Sequence, residues 1–346
     1  MKKRMRCKGE WLLVFLVLHS LATTQLHVAE GATKLPLNGL VLHYYKKHTN
    51  CTYAEEFIKH LVKKAWEFDR SITPALLRLA YTDCFVTGCD ASILLDGKSS
   101  EKAAPQNSGL RGFDVIDRIK RVLEARCPGT VSCADIIHLA AKDAVALAGA
   151  PKYPVFTGRR DGMQSTAKSV DLPSPSISWD QALAYFQSRG LDVLDLGTLL
   201  GAHTMGVTHC HYIHDRIHKF NHTGKPDPSM APSLARRLRQ KCQPKCYDGH
   251  RDPTVFLNPT SGKNYTFENS YYKRVLRKLG VLGIDQQFIF SEDGLRIAKQ
   301  FADNFEDFRR YFAFTMSRMG SIGVLTGNRG EIRHHCRYTN AEYPKI

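Results

Sequence analysis

Between Arg78 and Ser92 the chain concentrates side chains that can do chemistry. Leu76, Leu77, Leu79 and Ala80 recur at helical spacing, so Arg78 and Thr82, four residues apart, should project from one face of a helix ending at Asp83. That face would carry a fixed cation and a hydroxyl. Cys84 and Cys89 bracket Phe85-Val86-Thr87-Gly88, a loop so short that a disulfide between them would hold its backbone carbonyls in a fixed array. Asp83, Asp90 and Ser92 add side-chain oxygens around the same loop, and hard oxygen ligands of this kind suit Ca2+. The plainer alternative is a disulfide-closed turn with solvated aspartates.

A second group lies further along. Residues 192–200 read as a short apolar helix running into Gly201-Ala202-His203-Thr204-Met205-Gly206, with Cys210 seven residues after His203. One histidine among fifteen is usually structural, and its residue type alone does not make it a ligand.

The elements that must position these groups are helical. Thr52 followed by Glu55 spells a capping box, with Phe57, Leu61 and Ala65 as the apolar stripe of a helix ending near Phe68. Thr73-Pro74 should open the helix that carries Arg78. Residues 113–126 are amphipathic, residues 133–150 are more apolar and so buried, and residues 153–162 turn to short extended segments. Helices are expected over 178–189, 269–279 and 292–319, the last burying Ile297, Phe301, Phe305 and Phe308. No internal repeat or low-complexity stretch interrupts them.

With 346 residues the chain can form one large domain or two lobes. Lys2, Lys3, Arg4, Arg6 and Lys8 precede an apolar run over 11–22 that is too short to span a bilayer, which reads as a signal peptide over residues 1–31, cleaved between 22 and 31. Removing it lowers the formal charge from +16 to about +13. A basic secreted protein should adsorb to polyanions, and an acidic cell-wall polysaccharide fits better than nucleic acid, because Lys and Arg are scattered and no nucleic-acid motif appears. Ten cysteines less Cys7 of the leader leave nine, an odd number, and secretion makes disulfides the default. Asn50, Asn221 and Asn264 each begin a glycosylation sequon.

The stretch LLRLAYTDCFVTGCDAS, residues 76–92, resembles the distal haem segment R-L-H-F-H-D-C-F-V-x-G-C-D-A-S of secretory plant (class III) haem peroxidases. Gly201 to Gly206 with Cys210 resembles the G-A-H-T-x-G segment of the same family, and the likeness runs from about Leu40 to Cys336. It implies an all-α, mainly helical fold of two lobes sandwiching one haem b, with minor short strands. The peroxidase domain would span 32–346, with a distal lobe over about 32–150 plus the C-terminal helices and a proximal lobe over about 151–295. His203 would be the axial iron ligand, with Asp285 accepting from its other ring nitrogen. A calcium ion would be held by Asp83, Val86, Gly88, Asp90 and Ser92, with Glu101 in its outer shell. Pro173 matches the proline whose carbonyl faces the aromatic donor, and Asn107 the asparagine that hydrogen-bonds the distal histidine. The pairing implied is Cys51–Cys127, Cys84–Cys89, Cys133–Cys336 and Cys210–Cys242, leaving Cys246. For a second calcium the family uses the threonine after the axial histidine and two aspartates. Thr204 and Glu268 are present, but residues 258–263 hold no acid, so this second site is incomplete.

The departure falls on the acid/base group itself, because Thr82 stands where the family has its distal histidine, after Tyr81 and Ala80. Cleaving hydrogen peroxide requires a proton to leave one oxygen and reach the other, and a threonine hydroxyl is not deprotonated near neutrality. Arg78 remains to stabilise the developing charge. The expectation is therefore a secreted, monomeric haem peroxidase that oxidises phenolic donors slowly. The alternatives are a non-catalytic haem- or ligand-binding wall protein, with Arg78 and Thr82 forming a polar pocket, or a structural polyanion binder. Retention of Arg78, His203 and Asp285 argues against the last.

Overall fold

The computed structural model describes residues 38–243 and 252–343, so the expected leader with Cys7, and Cys246, lie outside the described residues. Within the unit Leu37–Ile346 the described elements are mainly helical. In chain order the α-helices are α1 (Tyr44–His48), α2 (Ala54–Phe68), α3 (Ile72–Cys84), α4 (Phe113–Glu124), α5 (Cys133–Leu147), α6 (Trp179–Gln187) and α7 (Val193–Leu200). They continue with α8 (His214–His218), α9 (Pro232–Lys241), α10 (Ser270–Leu276), α11 (Gly283–Gln287), α12 (Glu292–Asp303) and α13 (Phe305–Met319). Strands β1 (Val41–Leu42) and β2 (Phe156–Thr157) pair antiparallel, as do β3 (Val207–His209) and β4 (Thr254–Phe256), with Val207 opposite Phe256. No helix among the described residues is long and apolar enough to cross a membrane.

Helices α2, α3 and α4 pack around α5. The run CADIIHLAAKDAVAL makes this possible: twelve of the fifteen residues of α5 are buried, so the helix offers an apolar surface on nearly every side. Its start is fixed twice over. Ser132 accepts from Asp135 N, and Asp161 accepts from the backbone N–H groups of Cys133 and Ala134, satisfying donors that the helix cannot pair internally. Helix α7 lies against α6, α12 and α13, and α10 lies against α12. Between them Tyr272, Phe267, Phe301, Phe308 and Phe312 pack together, with Phe267 stacked on Phe308 at a centroid separation of 4.7 Å and Tyr272 edge-on to Phe308 at 5.0 Å. Among the described residues four disulfides cross-link the chain: Cys51–Cys127, Cys84–Cys89, Cys133–Cys336 and Cys210–Cys242.

Two local expectations are corrected. The capping box at Thr52 and Glu55 does not form: Tyr53 holds the capping position without a side-chain bond, and Glu55 instead pairs with His43 at 3.0 Å. The single helix expected over 292–319 is two. Asn304 adopts an extended conformation and its side chain accepts from Asp307 N, so it ends α12 and caps α13. The opening of α3 is also shifted, from Thr73 to Ile72, and the Thr73 hydroxyl donates to Ala144 O of α5 at 3.2 Å.

Candidate active site

His203 sits in a short 3-10 segment, Gly201–Met205, that continues α7. Asp192 and Asp195 form a reciprocal capping box at the start of α7, and at its other end Tyr272 donates to Gly197 O at 3.0 Å. Glycine is required at 201, since a Cβ there would collide with the Tyr272 hydroxyl and the Phe308 ring. The His203 ring is thereby brought to Asp285, whose Oδ1 lies 2.7 Å from Nδ1. Asp285 is 1 % exposed and its remaining acceptor positions are used: Tyr271 donates to Oδ1 at 2.9 Å and Leu282 N to Oδ2 at 3.2 Å. A carboxylate fixed in this way sets the imidazole orientation and leaves Nε2 without a hydrogen-bond partner among the described residues, which fits an iron ligand. The sequence reading missed Tyr271. It stands beside Tyr272 in a Tyr-Tyr pair, and the two hydroxyls go to different elements because adjacent helical residues point about 100° apart.

On α3, Thr82 is 1 % exposed and its hydroxyl donates back to its own helix, to Arg78 O and Leu79 O, each at 3.0 Å. The hydrogen of the Thr82 hydroxyl is thus committed within its own helix. Arg78 is half-buried and donates to Gln106 O at 3.1 Å and Ser108 O at 3.4 Å, beside Tyr212. Burial lowers the guanidinium pKa and Tyr212 opposes that shift, but arginine stays charged. Tyr212, nine residues after His203, was not singled out in the sequence; no periodicity or motif marked it. Asn107, 3 % exposed, donates through Nδ2 to Glu101 O at 2.8 Å while its Oδ1 is buried with no partner. An acceptor waiting for an imidazole N–H is what the resemblance assigns to this position, and Thr82 has no such group to give.

The loop after α3 brings Asp83, Asp90, Ser92 and Glu101 together. Asp83 accepts from Ala91 N through Oδ2, its Oδ1 is buried without a partner, and both carboxylate oxygens of Glu101 are buried without partners as well. Burial pushes Asp83 far above the usual carboxylate range, with the Asp90 charge adding to it, and pushes Glu101 up to about 7. Orphaned carboxylate oxygens enclosed in one place are costly without a cation, so these residues fit Ca2+. Gly88 O accepts from Asp90 N at 2.8 Å, and Val86 O lies in the same turn. Gly88 has φ +127°, and a Cβ there would lie 2.5 Å from Gly323 O, so only glycine allows the loop to close onto the tail. The tail also holds the loop through fully buried Arg333, which donates to Ala91 O at 2.7 Å and Cys336 O at 2.9 Å.

Pro173 is half-buried on the loop before α6, and its carbonyl accepts no hydrogen bond among the described residues. Beside it Arg189 pairs with Asp171 at 2.8 and 2.9 Å over the Tyr185 ring, and both Arg189 and Tyr185 donate to Phe85 O. Thr204 and Glu268 meet through Asn258, which the sequence reading noted only as part of a segment without an acid. The three sequon asparagines, Asn50, Asn221 and Asn264, are exposed.

A family model described as Peroxidase matches residues 54–304. Among curated relatives, Probable peroxidase 61 of Arabidopsis thaliana is 57 % identical over 330 residues, covering 95 % of this chain and 96 % of that protein. Probable peroxidase 26 of the same plant is 57 % identical over 301 residues, covering 87 % and 90 %, and Peroxidase 57 is 44 % identical over 291 residues, covering 84 % and 90 %. A mainly helical chain with a carboxylate-held histidine and this degree of likeness over almost its whole length belongs to the class III haem peroxidase family of plants.

Proposed function

We propose that this chain is a secreted, cell-wall peroxidase of phenolic donors whose reaction with hydrogen peroxide is slow because its distal side lacks a proton carrier. Haem, when bound, supplies the iron at which peroxide is reduced and the oxidising equivalents that donors consume. The residues around it divide the remaining work. His203, with Nδ1 on Asp285, would hold the group through Nε2. Asp285 keeps the ring in one tautomer and raises its basicity, and Tyr271 and Leu282 N keep Asp285 in place. Arg78 offers N–H donors and a positive charge for an oxyanion. Pro173, with its carbonyl uncommitted, offers an acceptor for a phenolic hydroxyl. One calcium is expected at Asp83, Val86, Gly88, Asp90 and Ser92, near Glu101. The formal charge of about +13 that remains without the leader supports retention on an acidic polysaccharide.

The observation that carries the reading is the Thr82 hydroxyl. Its hydrogen is shared between Arg78 O and Leu79 O, so it neither accepts a proton from peroxide nor points a free donor at it. General acid/base groups contribute typically about 10² to 10⁴ in rate. Thr82→His is therefore expected to raise the rate of reaction with peroxide by about that factor, measured by stopped-flow on the haem-loaded protein. Rapid turnover in the unaltered protein, with no gain in the variant, would overturn the proposal.

A further inference from the structure

Behind His203 the chain has filled a cation site with one of its own side chains. The family places a second calcium between the threonine after the axial histidine and two aspartates. Here the corresponding oxygens converge on the amide of Asn258, which is completely buried. Its Nδ2 lies 3.0 Å from Thr204 Oγ1, 3.0 Å from Glu268 Oε1 and 2.7 Å from Ser270 Oγ. Ser270 donates its own hydrogen to Glu268 Oε1 at 2.8 Å, and Ser261 donates to Thr204 O at 2.6 Å.

The orientation of the amide follows from this network. A carboxylate only accepts, and the Ser270 hydroxyl has spent its hydrogen on Glu268, so a donor must face both. Turning the amide over would set its carbonyl oxygen against the Glu268 carboxylate. The chosen orientation leaves Oδ1 buried without a partner, a lesser cost than two facing acceptors. Calcium needs six to eight oxygen ligands, and its affinity rises with the number of charged ones. This ring has a single carboxylate, Glu268, and an N–H donor already directed at its oxygens. A cation and that donor exclude each other.

We propose that the Asn258 amide replaces the second calcium, so that the segment carrying Thr204 is fastened to β4 and α10 by hydrogen bonds and the chain binds calcium only at the loop after α3. The proposal does not depend on the haem reading, since calcium content is measured whether or not peroxide is turned over. The full-length protein, equilibrated with excess calcium and desalted, is expected to retain no more than one calcium per chain by atomic absorption. Two per chain would overturn the proposal. Asn258→Asp exchanges the donor for a second carboxylate and is expected to add one calcium; a folded variant with an unchanged count would also overturn it. Asp83→Asn takes one carboxylate from the loop after α3 and is expected to lower the calcium content of the unaltered chain; an unchanged content would overturn the assignment of the ion to that loop. Where either variant fails to fold, the count on the unaltered protein decides alone.

Discussion

The two sides of the haem site differ in how completely they are built. On the His203 side the carboxylate behind the histidine is fully engaged: Asp285 takes His203, Tyr271 and Leu282 N, and Tyr272 closes onto α7. On the Thr82 side the pieces are retained and the connection is missing, because Asn107 Oδ1 has no donor and the Thr82 hydroxyl has turned back into its helix. Both features fit the proposal that Thr82 stands in the place of a ring: the buried Asn107 Oδ1 faces no donor, and the hydroxyl reaches the i−4 carbonyl. The Thr82 side and the cation loop share α3, since Asp83 follows Thr82 directly, whereas the His203 side rests on α7, α10 and α11.

The difference can be sharpened from the distal side first. If Asn107 Oδ1 is the lost partner of an imidazole, then adding Asn107→Ala to Thr82→His should cancel most of the gain of about 10² to 10⁴, while Asn107→Ala alone should leave the slow rate unchanged. A double variant as fast as Thr82→His would break the link between the two residues. On the proximal side, Asp285→Asn should weaken haem retention by about 10- to 100-fold and shift the haem absorption spectrum, as losing a partner behind a ligating histidine does elsewhere. An unchanged spectrum would mean that the His203–Asp285 bond does not tune the ligand.

The smallest expected effect concerns α5, which packs against the helix that carries Thr82. Burial, with the Arg159 charge adding to it, holds the His138 imidazole well below the ordinary histidine value of 6.5. Its folded pKa is lower than its unfolded one, so the unfolded chain gains the proton first, and stability is lost as pH falls below about 6.5. The slope from this one group is at most about 1.4 kcal/mol per pH unit. Urea unfolding at pH 7 and pH 5.5 measures it. His138→Gln should flatten that interval, and an undiminished slope would place the titration elsewhere.

The helices were legible in the sequence where apolar residues recur at 3 and 4, as over 113–126, which the structure forms over Phe113–Glu124, and in the short apolar run 192–200. The break at Asn304 was missed because the apolar stripe of α12 runs on into α13 without a change of period. Only the local bond from Asp307 N to the Asn304 side chain reveals it. In the site, His203 and Asp285 could be named from motifs 82 residues apart, and the structure brings them to 2.7 Å. Tyr271, Tyr212 and Asn258 could not, because their roles depend on which neighbour a buried polar group meets across the fold, and spacing carries no trace of that. Asn258 was noticed only as a missing acid. What an amide does in place of a carboxylate is decided by Ser270 and Glu268, 12 and 10 residues further on.

Arg333 has a consequence for the order in which the molecule can be completed. Its guanidinium joins Ala91 O of the cation loop to Cys336 O, and Cys336 is tied to Cys133 at the start of α5. A nascent chain therefore carries the cation loop for some 240 residues before the residue that clamps it has been made. The finished form of that loop is therefore reached only once the far end of the polypeptide has arrived.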